Sequence, residues 1–173
     1  PNLSRNQLVL DMANPDVIAY LKDSFTKTFK DVSIDYIKWD MNRNMSEVAS
    51  NALPAERQDE AWFRYMTGVY ELYTWFLQTF PDLIIENCSG GGGRYDLGIM
   101  NYSYQIWASD CTQPAGRIGI QNGSVIPYPP CVMSCHVSNC ENLTQDPQYL
   151  LRTRQHSMAF WAMNYICQIC QRM

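Results

Sequence analysis

Three times along this chain a short run of β-branched and aromatic residues gives way to a longer pattern of helical period, and no other feature limits the fold as much. Residues 7–10, Q-L-V-L, read as a buried strand that stops at Asp11. Asn14 and Pro15 then offer an N-cap and a first-turn proline, and Val17, Ile18, Leu21, Phe25 and Phe29 recur at helical spacing behind them. Residues 31–40 form the next strand, 41–54 a polar loop, and 56–80 a long helix. Its expected apolar face carries Trp62, Phe63, Met66, Val69, Tyr70, Tyr73, Phe76 and Leu77. Pro81-Asp82 ends that helix. Leu83 to Ile85 open a strand running into Asn87-Cys88-Ser89 and four glycines, Gly90 to Gly93.

A further strand spans 104–109 and closes on Asp110, while 114–123, with three glycines, is expected to make a poor helix. A last short strand is expected around 132–137. Asp146-Pro147 then cap a final helical pattern containing Leu150, Leu151, Met158, Phe160 and Trp161. A closed eightfold barrel takes about 250 residues. The 173 residues here hold four or five strand–helix units and begin just before a strand. The expected fold is therefore α/β, roughly the second half of a (β/α)8 TIM barrel, with 1–173 a single fragment of one domain. An open sheet of the same strands is the rival architecture.

Function is sought at the strand ends, because parallel α/β folds place their chemistry at the C-terminal ends of strands. Side chains alternate along a strand, so Tyr36, Lys38 and Asp40 share one face and Ile37 and Trp39 the other. Lys38, Asp40, Asn42 and Arg43 then crowd one strand end, which is either a site or a solvated terminus with a surface ion pair. The glycine run fits neither G-x-G-x-x-G nor the phosphate-loop pattern. It makes room for a neutral, hydroxyl-rich ligand or forms a tight turn. Two aspartates at the ends of different strands, Asp40 and Asp110, fit the paired-carboxylate logic of glycoside cleavage. Lys38 would favour the charged form of Asp40. Trp107, Cys111 and a second carboxylate would help Asp110 hold a proton.

Composition removes several alternatives. The net charge is -4 and no Lys/Arg cluster occurs, which argues against a nucleic-acid partner. No 18-residue apolar run and no leader is seen, so neither membrane association nor secretion is expected. Five Trp and eleven Tyr suit a sugar site, although a large core uses them too. Seven cysteines without a leader suit the reducing cytoplasm. Cys167 and Cys170 have zinc or redox spacing, but no second such pair accompanies them, and no metal site is expected.

Five stretches carry a family resemblance: R-N-Q-L-V-L-D (5–11), Y-I-K-W-D-M-N-R (36–43), E-N-C-S-G-G-G-G-R-Y-D-L-G (86–98), Q-I-W-A-S-D (105–110) and H-V-S (136–138). In this order they closely resemble the α-galactosidases of glycoside hydrolase family 36. The resemblance implies a retaining mechanism on a (β/α)8 barrel, with Asp40 as nucleophile and Asp110 as acid/base. It places Arg5, Lys38, Asn42, Cys88 and Gly91 on galactosyl hydroxyls, and implies no metal or nicotinamide cofactor. The implied partner is an α-galactoside oligosaccharide of raffinose or melibiose type, and the implied assembly a homo-oligomer. Galactosyl transfer and a noncatalytic half-barrel are the alternatives. The chain departs from the family at Gln113, at Asn139-Cys140-Glu141-Asn142, at the closing strand and in the first barrel strands, whose acidic residues grip galactose.

Overall fold

A computed structural model describes residues 3–136 of the chain. The architecture is parallel α/β. Helices α1 (Pro15–Phe29), α2 (Ala61–Thr79) and α3 (Pro114–Ser124) alternate with strands β1 (Tyr36–Asp40), β2 (Ile84–Cys88), β3 (Gln105–Trp107) and β4 (Met133–Ser134). The four strands form one sheet in the order β1-β2-β3-β4. β2 and β3 run parallel with Glu86 opposite Gln105, and β3 and β4 run parallel with Trp107 opposite Ser134. Sequence neighbours are thus sheet neighbours, as in successive units of a (β/α) barrel. No helix among the described residues is long and apolar enough to cross a membrane.

The chain divides into two compact units. Among the described residues the first comprises 3–37 and 42–85; the second comprises 38–41 and 86–136. In the first unit α1 starts as its sequence dictates: Asn14 is the N-cap and its side-chain oxygen accepts from Asp16 N. α1 meets α2 through the Phe25, Phe29 and Phe76 rings, with centroids 5.0 Å apart for Phe25–Phe76, and through the Lys22–Glu71 ion pair. Leu72, Tyr73 and Phe76 are wholly buried. Burying a side chain of this kind stabilises by about 1.5–3 kcal/mol each.

Four local expectations are corrected. Residues 7–10 form no strand: Ser4 and Gln7 make an isolated bridge, and Leu8 and Leu10 are exposed. A strand is held by its neighbours' backbone, and none of the four sheet strands is drawn from this run. The long helix expected over 56–80 is interrupted. Ala55–Glu60 is a 3-10 turn with a kink at Arg57, and α2 begins at Ala61. Its inward face runs through Ala61, Tyr65, Val69, Leu72, Tyr73 and Phe76, which leaves Trp62 and Phe63 exposed. The strand expected over 31–40 is reduced to β1.

The fourth correction is α3, which is helical despite Gly116, Gly119 and Gly123. Each glycine costs about 1 kcal/mol against alanine. Fully buried Arg117 anchors the helix by donating to the carbonyls of Ser109 at 2.8 Å and Ser134 at 3.3 Å. The helical pattern expected from 146 on, and Cys167 and Cys170, lie outside the described residues.

At Gly68 on α2 a methyl group would come within 1.8 Å of the Met12 carbonyl oxygen. Gly68→Ala is therefore expected to destabilise the protein by about 3 kcal/mol, the upper end of overpacking costs. Urea unfolding of the variant against the parent measures this.

Candidate active site

The site is assembled where β1, β2 and β3 end, from residues of the second unit. Asp40 is the last residue of β1 and is exposed, as alternation along Tyr36–Asp40 requires. Cys88 ends β2, is buried, and hydrogen-bonds the Asp40 carboxylate. The two strand ends are also tied through backbone: Met41 N donates to Cys88 O at 3.1 Å, and Ser89 Oγ donates to Met41 O at 2.8 Å. Burial first, and then the Asp40 carboxylate, push the Cys88 thiol above its ordinary value, so at neutral pH it stays a thiol.

After Cys88 the chain turns through the glycines. Gly90 and Gly91 both have positive φ, 54° and 85°, which side chains with a Cβ seldom adopt. A Cβ on Gly91 would stand 2.8 Å from Ser109 Cα and 3.0 Å from Asp110 N; one on Gly92 would stand 2.6 Å from Ala108 O. The glycines therefore serve a close approach of the β2 loop to the backbone that carries Asp110. Asn87 and Arg94 lock this loop from inside. Asn87 Nδ2 donates to Arg94 O at 3.1 Å and Arg94 Nη2 donates to Cys88 O at 2.9 Å. One loop thus touches Asp40 through Cys88 and the backbone of Asp110 through Gly91.

Beneath the two aspartates lies a polar cluster. Glu86, on β2 and only 1% exposed, has one carboxylate oxygen 3.6 Å from Lys38 Nζ. Its other oxygen accepts from His136 Nε2 at 2.8 Å. The expected partner of Lys38 was Asp40, two residues away. Its ion pair with Glu86 arises because adjacent strands bring their side chains closer than two residues along one strand. Trp107, buried on β3, stacks on His136 with centroids 4.4 Å apart. Lys38 Nζ and Arg117 Cζ lie 5.2 Å and 4.2 Å from the indole centre. The indole Nε1 donates to Asp110 Oδ1 at 2.8 Å.

Five of the seven residues expected at the site, Lys38, Asp40, Cys88, Gly91 and Asp110, fall in this unit. Arg5 and Asn42 belong to the first unit. There they meet each other: Arg5 Nη1 donates to Asn42 O at 3.3 Å, and Arg5 has a positive φ of 55°. Glu86, His136 and Arg117 carry the cluster without having been assigned a role from sequence. A charged residue inside the apolar run I-I-E-N-C was the available signal for Glu86. Among the described residues no group of three His, Cys, Asp or Glu side chains is placed to hold a metal ion.

The family model for melibiase matches residues 1–172. The chain belongs to the melibiase family. Among its relatives, alpha-galactosidase 1 of Pediococcus pentosaceus is 40% identical over 99% of this chain and 23% of its own length. Alpha-galactosidase AgaA of Geobacillus stearothermophilus is 43% identical over 88% of this chain and 21% of its own. A crystal structure of an AgaA variant, a family 36 α-galactosidase in complex with raffinose, superposes with a TM-score of 0.83 at 39% identity. It covers 90% of this chain and 22% of that one. Another AgaA variant, in complex with stachyose, gives a TM-score of 0.80 at 34% identity, over 95% of this chain and 26% of that one. The chain thus spans about a quarter or less of the melibiase relatives it matches.

Because the folded chain keeps the Cys88 proton to higher pH than the unfolded chain, this group's stabilising contribution is complete below the unfolded thiol value. It is lost as pH rises from there through the raised folded value. At pH 8, iodoacetamide is expected to label exposed Cys111 well before Cys88. Peptide mass mapping over a time course reads the order.

Proposed function

We propose that this chain carries the two catalytic carboxylates of a retaining α-galactosidase acting on terminal α-galactosyl groups of raffinose- or melibiose-type oligosaccharides. The observation that carries the reading is the β2 loop, which abuts Asp40 at Cys88 and the Asp110 backbone at Gly91. Two exposed acids are thereby attached to opposite ends of one short loop. Membership of the melibiase family and the raffinose and stachyose complexes of AgaA variants support the substrate class. Residues 1–173 are one stretch of a single catalytic barrel domain. The free thiols of Cys88, Cys111, Cys131 and Cys135 support a cytoplasmic setting.

In the first step an Asp40 oxygen bonds to the anomeric carbon while the glycosidic C–O bond breaks. The electron pair leaves with the departing oxygen, which takes the Asp110 proton. In the second step Asp110 removes a proton from water, the water oxygen bonds to the anomeric carbon, and the ester to Asp40 breaks. Lys38, held by Glu86 yet a third exposed, keeps a cation on the strand that carries the nucleophile and is offered to a galactosyl hydroxyl. Cys88, kept as a thiol, can donate where a thiolate could not. Gly91, on the same loop, adds a further sugar contact on this reading.

In the full-length protein, Asp40→Ala and Asp110→Ala are each expected to lower kcat on an aryl α-galactoside by at least about a hundredfold. Azide added to the Asp40 variant should yield β-galactosyl azide, and added to the Asp110 variant α-galactosyl azide. NMR of the products reads the anomer. Undiminished turnover in both variants, or the opposite anomers, would overturn the assignment.

A further inference from the structure

We propose that Trp107 is a positioning residue for the Asp110 carboxyl, and that Glu86, through His136, holds Trp107 in place. The inference rests on Asp110 being the acid/base. The Trp107 indole N–H donates to Asp110 Oδ1 at 2.8 Å, across three residues of the strand end. That bond engages one carboxyl oxygen and leaves the other, Oδ2, to carry the proton that the leaving group takes. A proton on a rotating carboxyl is a poorer acid catalyst than one on a carboxyl fixed by a donor, because orientation is part of the barrier.

An indole can fix a carboxyl only if it is itself fixed. Trp107 is 3% exposed, stacked on His136 at an interplanar angle of 23° and faced by the Arg117 guanidinium. Arg117 is anchored to the carbonyls of Ser109 and Ser134, so it braces both the ring and the turn that bears Asp110. His136 is much more open, with 42% of its side chain exposed. Its fixed point is the buried Glu86 carboxylate at 2.8 Å. The same carboxylate faces Lys38, so one buried acid steadies groups next to both catalytic aspartates. Neither Glu86 nor Trp107 needs to touch the sugar to do this.

The test compares two substrates in the full-length protein. A dinitrophenyl α-galactoside has a leaving group that departs without a proton; melibiose has one that requires it. Trp107→Phe keeps a smaller ring for His136 and Arg117 while removing the N–H that reaches Asp110. It is expected to lower kcat/KM on melibiose at least about tenfold more than on the dinitrophenyl substrate. Glu86→Gln should move the ratio in the same direction by less. The ratio does not depend on how much of a variant folds, and a general loss of structure would lower both values together. An unchanged ratio in either variant overturns the proposal. Asp110→Ala run alongside must itself shift the ratio strongly. If it does not, the acid/base reading fails and takes this inference with it; if it does and Trp107→Phe does not, only the positioning role falls.

Discussion

Taking a carboxylate out of water costs several kcal/mol unless charges and donors meet it where it is buried. One Glu86 oxygen is hydrogen-bonded by His136 at 2.8 Å, and the other faces the Lys38 charge at 3.6 Å. Lys38 comes from β1, Glu86 from β2, and His136 from two residues beyond β4. Trp107 of β3 packs against both the lysine and the histidine. Every strand of the sheet, or the residues just past it, thus contributes to the cluster around one acid. Asp40 and Asp110 stay exposed at the strand ends, each met from behind by one donor, the Cys88 thiol and the Trp107 indole.

The two compact units solve different problems. The interior of the first is largely hydrocarbon and aromatic: Ile18, Val69, Leu72, Phe76, Leu83 and Ile85, with rings packed between α1 and α2. The second buries Glu86, Asn87, Arg94, Ser103, Arg117 and Ser134 among a few apolar side chains. Buried polar groups are the informative ones, since apolar interiors are what any fold provides. Here most of them have an identifiable use: Asn87 and Arg94 close the glycine loop, Glu86 holds Lys38 and His136, and Arg117 carries α3.

What the sequence disclosed follows the same division. Alternation along Tyr36–Asp40, the Asn14 cap and the turn at the glycines are encoded within a few residues, and each is found in the fold. The motif stretches placed Asp40, Cys88 and Gly91 near one another because family patterns record side chains that share a site. Long-range pairing was not legible. Nothing in K-W-D says that the lysine will turn to Glu86 on the next strand. Nothing in a glycine-rich run of eleven residues says that one buried arginine will tie it to carbonyls outside the helix. The exposed Trp62 and Phe63 were misread for a related reason: α2 is apolar over most of its circumference, and only its packing shows that the face through Tyr65, Val69, Leu72 and Phe76 turns inward.

The contacts around Asp110 also differ in reach. Its bond to Trp107 spans three residues and closes almost no loop, while the pair between His136 and Glu86 joins positions fifty apart. Closing the longer loop costs chain entropy that grows with the logarithm of its length. The short-range bond can therefore form as soon as the strand end does, and the distant pair follows only when the sheet is nearly whole. An opening at the far edge of the sheet would then loosen the brace before it frees the acid.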